Sequence, residues 1–420
     1  MSTPSVDVCV VGAGLAGLSC ANYLTQFGLE TRVLEASDGV GGRVRTDVVD
    51  GYRLDRGFQI LLTQYPEANL QLDMRKLELK TFDPGLLIYT GEDFHKVSDP
   101  MRRPSDLIST LRAPIGSIFD KARLGLLFLD VRRTSPQELM RRPDRSTLEE
   151  LRHRGFSERM IKSFWRPLFA GIQLDPDLEV SAKRFALVMA MIAEGDAAVP
   201  ELGIGAISDQ LAAKLPSGII ELETAVTEIT ATGVRVGDGR EIEARAVVVA
   251  TESPVAARLI KTKDPGSRPV ANLQFSAPQA PVDDRLTILN GTGDGPVTNL
   301  AIMSNVAPTY APPNRSLISI EVPGVYLGDD RELLTAVTAQ MRDWFGGQVN
   351  EWELLRNLRI EHGHPNQLPG FSPKKNVRLG EYRYVCGDHR DTASSQGALY
   401  SGRRTASAVI ADLSTNAQRK

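Results

Sequence analysis

The stretch that most constrains this chain is its first 45 residues. Val6-Asp7-Val8-Cys9-Val10-Val11 is a short apolar run rich in β-branched side chains. Such a run is long enough for a buried strand and too short for a helix. Gly12-Ala13-Gly14-Leu15-Ala16-Gly17 follows at once, then a helical pattern with Leu18, Ala21, Leu24 and Phe27 on one side and Gly28 as the stop. A second strand, Thr31 to Leu34, ends in Glu35. In a strand–turn–helix–strand unit of this kind each glycine has a mechanical task. Gly12 permits the tight turn, Gly14 lets a pyrophosphate approach the backbone, and Gly17 lets the helix pack on the strand. Leu15 and Ala16 then stand at the helix start, where free N–H groups hold an anion without a basic side chain. Glu35, 18 residues after Gly17, stands where an acid binds a ribose hydroxyl. The unit predicts a dinucleotide site, and the acid argues against a 2′-phosphate and hence against NADP.

The residues that follow, Gly39-Val40-Gly41-Gly42-Arg43-Val44-Arg45-Thr46, add a second flexible backbone stretch carrying two cations. With them, Val10 to Thr46 resembles the opening of the superfamily of flavin-containing amine oxidoreductases, phytoene desaturases and protoporphyrinogen oxidases. The resemblance implies FAD as cofactor. It lays the adenosine and pyrophosphate over the Gly12–Gly17 turn, Glu35-Ala36 and Gly42-Arg43, with Arg43 at the phosphates or beside the flavin. Gly51 to Ile60 resembles the superfamily's next landmark, which implies that Gly57, Phe58 and Gln59 pass near the flavin ring. Gly203 to Leu215 resembles the helix that returns to the cofactor domain, and Val226, on the strand after it, is the implied backbone contact to adenine. Near the C-terminus, Tyr382 to Asp388 and Ser394 to Ala406 resemble the flavin clamp. There Gly387 and Asp388 are implied at the ribityl or pyrophosphate region, and Gln396-Gly397-Ala398 opens a helix toward the N1–C2=O edge of the ring. A helix N-terminus carries about half a positive charge. Placed at that edge it binds a reduced flavin better than an oxidised one.

The 420 residues suggest two or three folding units. With 42% apolar and 24% charged residues the chain has ordinary globular composition, which excludes disordered, collagen-like and coiled-coil classes. A net charge of −3 argues against nucleic acid as a partner. Three cysteines, Cys9, Cys20 and Cys386, are too few for a disulfide framework and favour a reducing compartment. No apolar stretch is long enough to span a bilayer, and Met1 to Asp7 lacks the pattern of a signal peptide. The expected fold is α/β, a Rossmann-like FAD-binding domain interleaved with an α+β substrate domain of mainly antiparallel sheet plus helices. The first is assigned residues 1–64, 200–265 and 370–420, and the second 65–199 and 266–369. From Tyr65 to Ala193 helical signals dominate. Pro66 suits a first helical position, Ser117 a cap for Ile118 to Val131, and Ser146 to Glu149 a capping box, with Ser181 to Ala193 amphipathic. Strands are expected at 225–230, 233–236 and 241–251, the last two joined by Gly237-Asp238-Gly239. Further strands are expected at 270–275, 297–303 and 316–322, and helices around 332–344 and 351–358.

Residues 102–166 hold 15 Lys or Arg against eight Asp or Glu, with apolar clusters such as Leu124 to Leu129 among them. Two readings stand side by side, a surface that docks on anionic lipid and a helical bundle with an Arg-rich solvated face. His362, His364 and His389 lack metal-ligand spacing, so no metal site is expected, although His389 directly follows Gly387-Asp388. In the superfamily's amine oxidases an aromatic cage residue precedes the final turn and a lysine stands on a substrate-domain strand. The corresponding positions here read Ser394-Ser395 and Asn272, and loss of a cage lowers affinity for amines. The expected function is therefore FAD-dependent dehydrogenation of a small lipophilic substrate (polyene, prenyl or tetrapyrrole type) by hydride transfer to flavin N5. No catalytic residue is identifiable from sequence. Two alternatives remain, an amine or amino-acid oxidase releasing imine and hydrogen peroxide, and a non-catalytic flavin-containing assembly protein. The expected location is cytoplasmic with peripheral membrane contact, and the sequence leaves the oligomeric state open.

Overall fold

A computed structural model describes residues 6–99 and 102–417. The absence of a targeting signal, read from Met1 to Asp7, falls largely outside that range. Two sheets organise the chain. In the first, Val6–Val11 lies between Thr31–Leu34 and Glu241–Val249, parallel to both. Ile220–Glu221 extends one side, and Arg383–Val385 pairs in parallel with Glu241–Val249 on the other. The inner strands are apolar where both faces are covered, over Val8 to Val11 and Ala246 to Val249. The first helix, Leu15–Gln26, and the last, Ser395–Ala417, pack together on this sheet. Ser19 Oγ donates to Leu399 O at 2.9 Å across 380 residues of sequence. The chain ends therefore build one layer between them.

Gly233–Val236 forms the expected hairpin with Glu241–Val249, and Val226–Ile229 adds a further antiparallel strand. The second sheet has seven strands, in the order 353–365, 267–277, 316–323, 299–302, 287–290, 85–89, 94–98. All its pairings are antiparallel except that of Thr287–Asn290 with Gly85–Tyr89. One face is apolar (Leu273, Phe275, Ile318, Ile320, Leu300) and is covered by the helix Asp330–Phe345 through Leu333, Val337 and Met341.

One expectation is corrected here. Glu351 to Leu358 is not a helix. Glu353–Pro365 is the edge strand of the second sheet, paired with Ser267–Ala277 from Ser276↔Glu353 to Ser267↔Pro365. Leu354, Leu355 and Leu358 mimic a helical spacing, but backbone pairing along a long neighbouring strand decides the outcome. Within the mostly helical segment from Tyr65 to Ala193, no sequence signal marked Gly85–Tyr89 and Phe94–Ser98, a hairpin that completes the far edge of the second sheet. The remaining helices stand where capping chemistry placed them. Pro66 opens Pro66–Gln71, Ser117 and Ser146 cap Ile118–Arg133 and Thr147–His153 through reciprocal capping boxes, and Ser181 caps Ala182–Glu194. Among the described residues no helix is long and apolar enough to cross a membrane.

Candidate active site

A single cavity of about 1650 Å³ runs between the two sheets and on into the helices of 107–141. At one end it is lined by Gly12, Gly14, Leu15 and Ala16, by Glu35 and Ala36, and by Gly41 to Val44. These are the C-terminal edges of the parallel strands and the turn that follows, the usual ligand crevice of an open α/β sheet. The first helix starts there with Gly14 at its N-cap, no side chain capping it and no acid in its first turn. Its free N–H groups thus face the cavity, suited to an anion. Gly17 stands behind this wall and not in it. A Cβ at that position would lie 1.9 Å from Gly12 O, so glycine there is what allows the helix to seat on the turn. Gly41 adopts φ +104, and its N–H donates to Ala13 O at 2.8 Å. The two glycine loops therefore close against each other along one rim.

Glu35 is buried at the end of its strand. One oxygen accepts from Ala13 N at 2.7 Å, and the other from Ser37 N at 2.9 Å and Ser37 Oγ at 2.8 Å. The carboxylate fixes both loops and keeps lone pairs for a ligand hydroxyl. Arg43 reaches Asp388 across the cavity, Nη2 to Oδ2 at 2.8 Å, and also donates to Gly363 O. Gln59 Nε2 donates to Arg43 O at 2.7 Å. Gly57, Phe58 and Gln59 line the same wall, as do Gly387 and Asp388. Val226, Thr251 and Glu252 line the end near Ala36, and the buried Thr251 hydroxyl has no partner. Ser394, Ser395, Gln396 and Ala398 bring the start of the last helix to the cavity, while Gly397 stands behind it.

These features test the fit of FAD. An uncapped helix start, a carboxylate at the end of the second strand, an unpartnered hydroxyl and a second helix start all face one elongated cavity. The residues fit the group. Of the positions expected from sequence, all but Gly17 and Gly397 line the cavity, and those two shape it through backbone packing. His389 is not among the lining residues. Its ring packs behind Gly387, both nitrogens lack partners, and burial pushes its pKa down to about 4.

Several lining residues carry no sequence motif. Arg184, from the helix Ala182–Glu194, is 3% exposed. It donates to Ala393 O at 2.8 Å and meets His364 Nδ1 at 2.9 Å, leaving its other terminal nitrogen without a partner. Burial brings the Arg184 pKa down to about 10 and holds His364 well below its ordinary value, so the ring is neutral. Asn272, the position set against the lysine of amine oxidases, is fully buried with its amide on Ser319 Oγ and Ile320 O, both at 3.0 Å, and does not reach the cavity. Its register partner Glu321 does, as does Asn299, which pairs with Glu321 on the next strand. Burial pushes the Glu321 carboxyl up to about 8. The signal for it in the sequence is a lone Glu inside the alternating strand Ser-Leu-Ile-Ser-Ile-Glu-Val-Pro. Among the described residues no three His, Cys, Asp or Glu side chains gather as a metal site would require.

The family model of flavin containing amine oxidoreductases matches residues 15–410. The chain is 25% identical over 469 aligned positions to the 15-cis-phytoene desaturase of Synechococcus elongatus, covering 96% of both. Other curated relatives match only in part. The putrescine oxidase of Kocuria rosea is 40% identical over 88 residues, 21% of this chain and 18% of that protein. Among solved structures, a protein of Exiguobacterium sp. 255-15 provisionally named protoporphyrinogen oxidase superposes with a TM-score of 0.74 at 17% identity, over 98% of this chain and 100% of the other. Putrescine oxidase bound to putrescine gives 0.71 at 18%, over 97% and 99%. These structural likenesses establish the fold. The chain belongs to the flavin containing amine oxidoreductase family and is a FAD-dependent oxidoreductase.

Proposed function

We propose that the protein dehydrogenates a lipophilic substrate of polyene, prenyl or tetrapyrrole type. The observation that carries this reading is the extent and lining of the cavity. Beyond Arg184 and His364 it continues between Ile115, Leu124, Phe128, Leu168, Leu187 and Met191, an apolar passage rather than a short aromatic box. Its volume exceeds the roughly 300–1,000 Å³ of a drug-sized site, leaving length for a long substrate beside a dinucleotide. In this reading the cofactor-binding unit comprises residues 1–64, 200–265 and 370–420, and the substrate unit 65–199 and 266–369. Gly12, Gly14, Leu15 and Ala16 hold the pyrophosphate, with Gly17 setting the helix. Glu35 and Ala36 hold the ribose, Val226 the adenine, and Gly42, Arg43 and Asp388 the linker to the flavin. Gly57 to Gln59, Gly387 and Gln396 to Ala398 frame the ring. FAD, when bound, supplies the two-electron acceptor. The chain's part is to orient the substrate and exclude water, which the apolar lining of the passage favours.

The same reading takes the substrate from a membrane surface. Leu107, Leu111, Ile118 and Leu129 are exposed and also line the cavity, so they form its mouth. Ile108, Phe119 and Leu126 extend the exposed apolar surface beside them. Much of the positive charge of 102–166 is spent in ion pairs, such as Arg142 and Arg154 with Asp130, which supports the solvated-bundle reading for those residues. Arg112, Arg133 and Arg141, however, are exposed, and Arg141 lines the cavity, where anionic lipid would meet it.

Anaerobic mixing of the FAD-loaded protein with phytoene or protoporphyrinogen in micelles, in parallel with putrescine and benzylamine, tests the substrate class. Bleaching of the flavin by one of the lipophilic compounds is expected. Bleaching by the amines alone overturns the proposal in favour of an amine oxidase.

A further inference from the structure

The face of the second sheet that turns away from the helix Asp330–Phe345 is polar, yet it is not exposed. Asn272, Gln274, Ser276, Asn299, Ser319 and Glu321 alternate with the apolar residues of their strands, and all are buried, none more than 3% exposed. Alternation normally sends such residues to water. Here most are absorbed by internal hydrogen bonds: Gln274 donates to Asp55 O, Ser276 pairs with Tyr52 OH, and Asn272 spans Ser319 and Ile320. Glu321 differs. Its Oε2 accepts from Asn299 Nδ2 at 2.7 Å, its other oxygen takes no hydrogen bond from the described residues, and the side chain lines the cavity. An acid inside an apolar sheet with half its hydrogen-bonding capacity unused is costly to keep for structure alone.

The setting of Glu321 is built by its neighbours. Asn299, held in turn by Thr298 Oγ1 at 2.8 Å, lies under Gly171 of the helix Arg166–Gln173. A Cβ on Gly171 would stand 2.5 Å from Asn299 Oδ1, so that helix closes directly over the Asn299–Glu321 pair. The groups packed around the carboxyl, namely Asn299, Asn272, Ser319 and Gly171, are all neutral. The charged groups of this cavity wall, Arg184 and Arg43, stand further along it with the neutral His364, past Val270 and Ile360. Ile360 in turn meets the Gly57 backbone turn, with its Cδ1 3.0 Å from where a Gly57 Cβ would be. Glu321 therefore lies on the stretch of wall between the apolar passage and the Arg43–Asp388 bridge.

We propose that Glu321 is the proton-accepting residue of the dehydrogenation. The substrate's C–H bond breaks with its electron pair leaving as hydride to FAD. The bond to hydrogen on the adjacent atom breaks with the proton passing to the free oxygen of Glu321, and the pair left behind forms the new double bond. Two electrons and one proton thus reach the cofactor as hydride, and one proton reaches the carboxylate. Burial, the one influence raising its pKa to about 8 against the Asn299 hydrogen bond, gives the carboxylate the basicity this step needs near neutral pH. The assignment rests on the proposed function in placing the reacting atoms in this cavity.

The test compares the full-length FAD-loaded protein with its Glu321→Gln variant, which keeps an oxygen for Asn299. Anaerobic flavin reduction by whichever compound bleaches the wild type should slow by about 100-fold or more, with FAD content unchanged. The wild-type rate should rise with pH through about 8, and the variant should lose that limb. Reduction of the variant at the wild-type rate overturns the proposal while leaving the substrate class intact. A second measurement needs no substrate. In pH-difference infrared spectra a buried protonated carboxyl should titrate around pH 8 in the wild type and vanish in the variant. Without such a band the proposal fails, whichever substrate is found. Thermal unfolding adds a check on sign. The folded-state pKa is raised, so the folded protein holds this proton more tightly than the unfolded chain, and the contribution present at low pH is lost as pH climbs toward 8. The melting temperature of Glu321→Gln should therefore gain on that of the wild type across this interval.

Discussion

Glu35 illustrates how one side chain serves folding and binding together. Its two oxygens tie the Gly12–Gly14 turn to the Ser37 loop through Ala13 N and Ser37, so the ribose-binding acid also holds the loops that would contact the phosphates. Removing it strands buried donors at a cost of about 1–3 kcal/mol. Glu35→Ala is expected to weaken FAD retention by roughly 10- to 100-fold, since a charged hydrogen bond contributes about 1.5–3 kcal/mol. Flavin content after gel filtration measures this, and undiminished retention would count against the ribose placement. At this scale the sequence pointed to residues that line the cavity wherever backbone conformation or a fixed spacing dictated them, as at Gly12, Glu35 and Gly387-Asp388. It was silent on Arg184 and Glu321, and His364 was considered only as a metal ligand. Each of these reaches the cavity only because distant strands and helices fold over it, and none sits in a spacing that a local rule can read.

Capping chemistry made the helices readable as elements. Ser117 and Ser146 with their acids three residues on fix two starts, and Gly237 to Gly239 fixes a hairpin. Glu353–Pro365 was misread because an edge strand half-exposed on both faces has no clean alternation, and its state is set by a partner strand almost ninety positions earlier. The helices Leu107–Arg112 and Ile118–Arg133 carry a prediction of their own. Replacing Ile118 and Phe119, 58% and 69% exposed, by Asp should leave the fold intact. Each lost apolar insertion contributes on the order of 1.5 kcal/mol, so partition onto vesicles containing phosphatidylserine should fall by tenfold or more. Co-sedimentation reads the result, and a wild-type protein that stays in the supernatant at low salt would sink the docking proposal.

Across the whole molecule, the two-sheet architecture followed from the order of its parts. A parallel unit opens the chain, antiparallel strands fill its middle, and a strand and helix return at the end. What no local pattern revealed was the continuity of the cavity through both layers into the helices. Because Arg383–Val385 completes the first sheet and Ser395–Ala417 covers its opening helix, a chain cut at Glu381 should fail to retain FAD. It should also expose apolar surface to dye binding. A truncated protein that is yellow and monomeric would contradict this layering.

The arrangement also sets an order of events during synthesis. Val249 leaves the ribosome about 130 residues before Arg383 does. At about 5–20 residues per second, its neighbouring edge stays open for on the order of ten seconds. For that time the emerging polypeptide presents the open, apolar edge of Val247 to Val249, which is when holdase chaperones would be expected to bind it. Loading of the yellow prosthetic group thereby waits for Arg383–Val385 and Ser395–Ala417 to emerge.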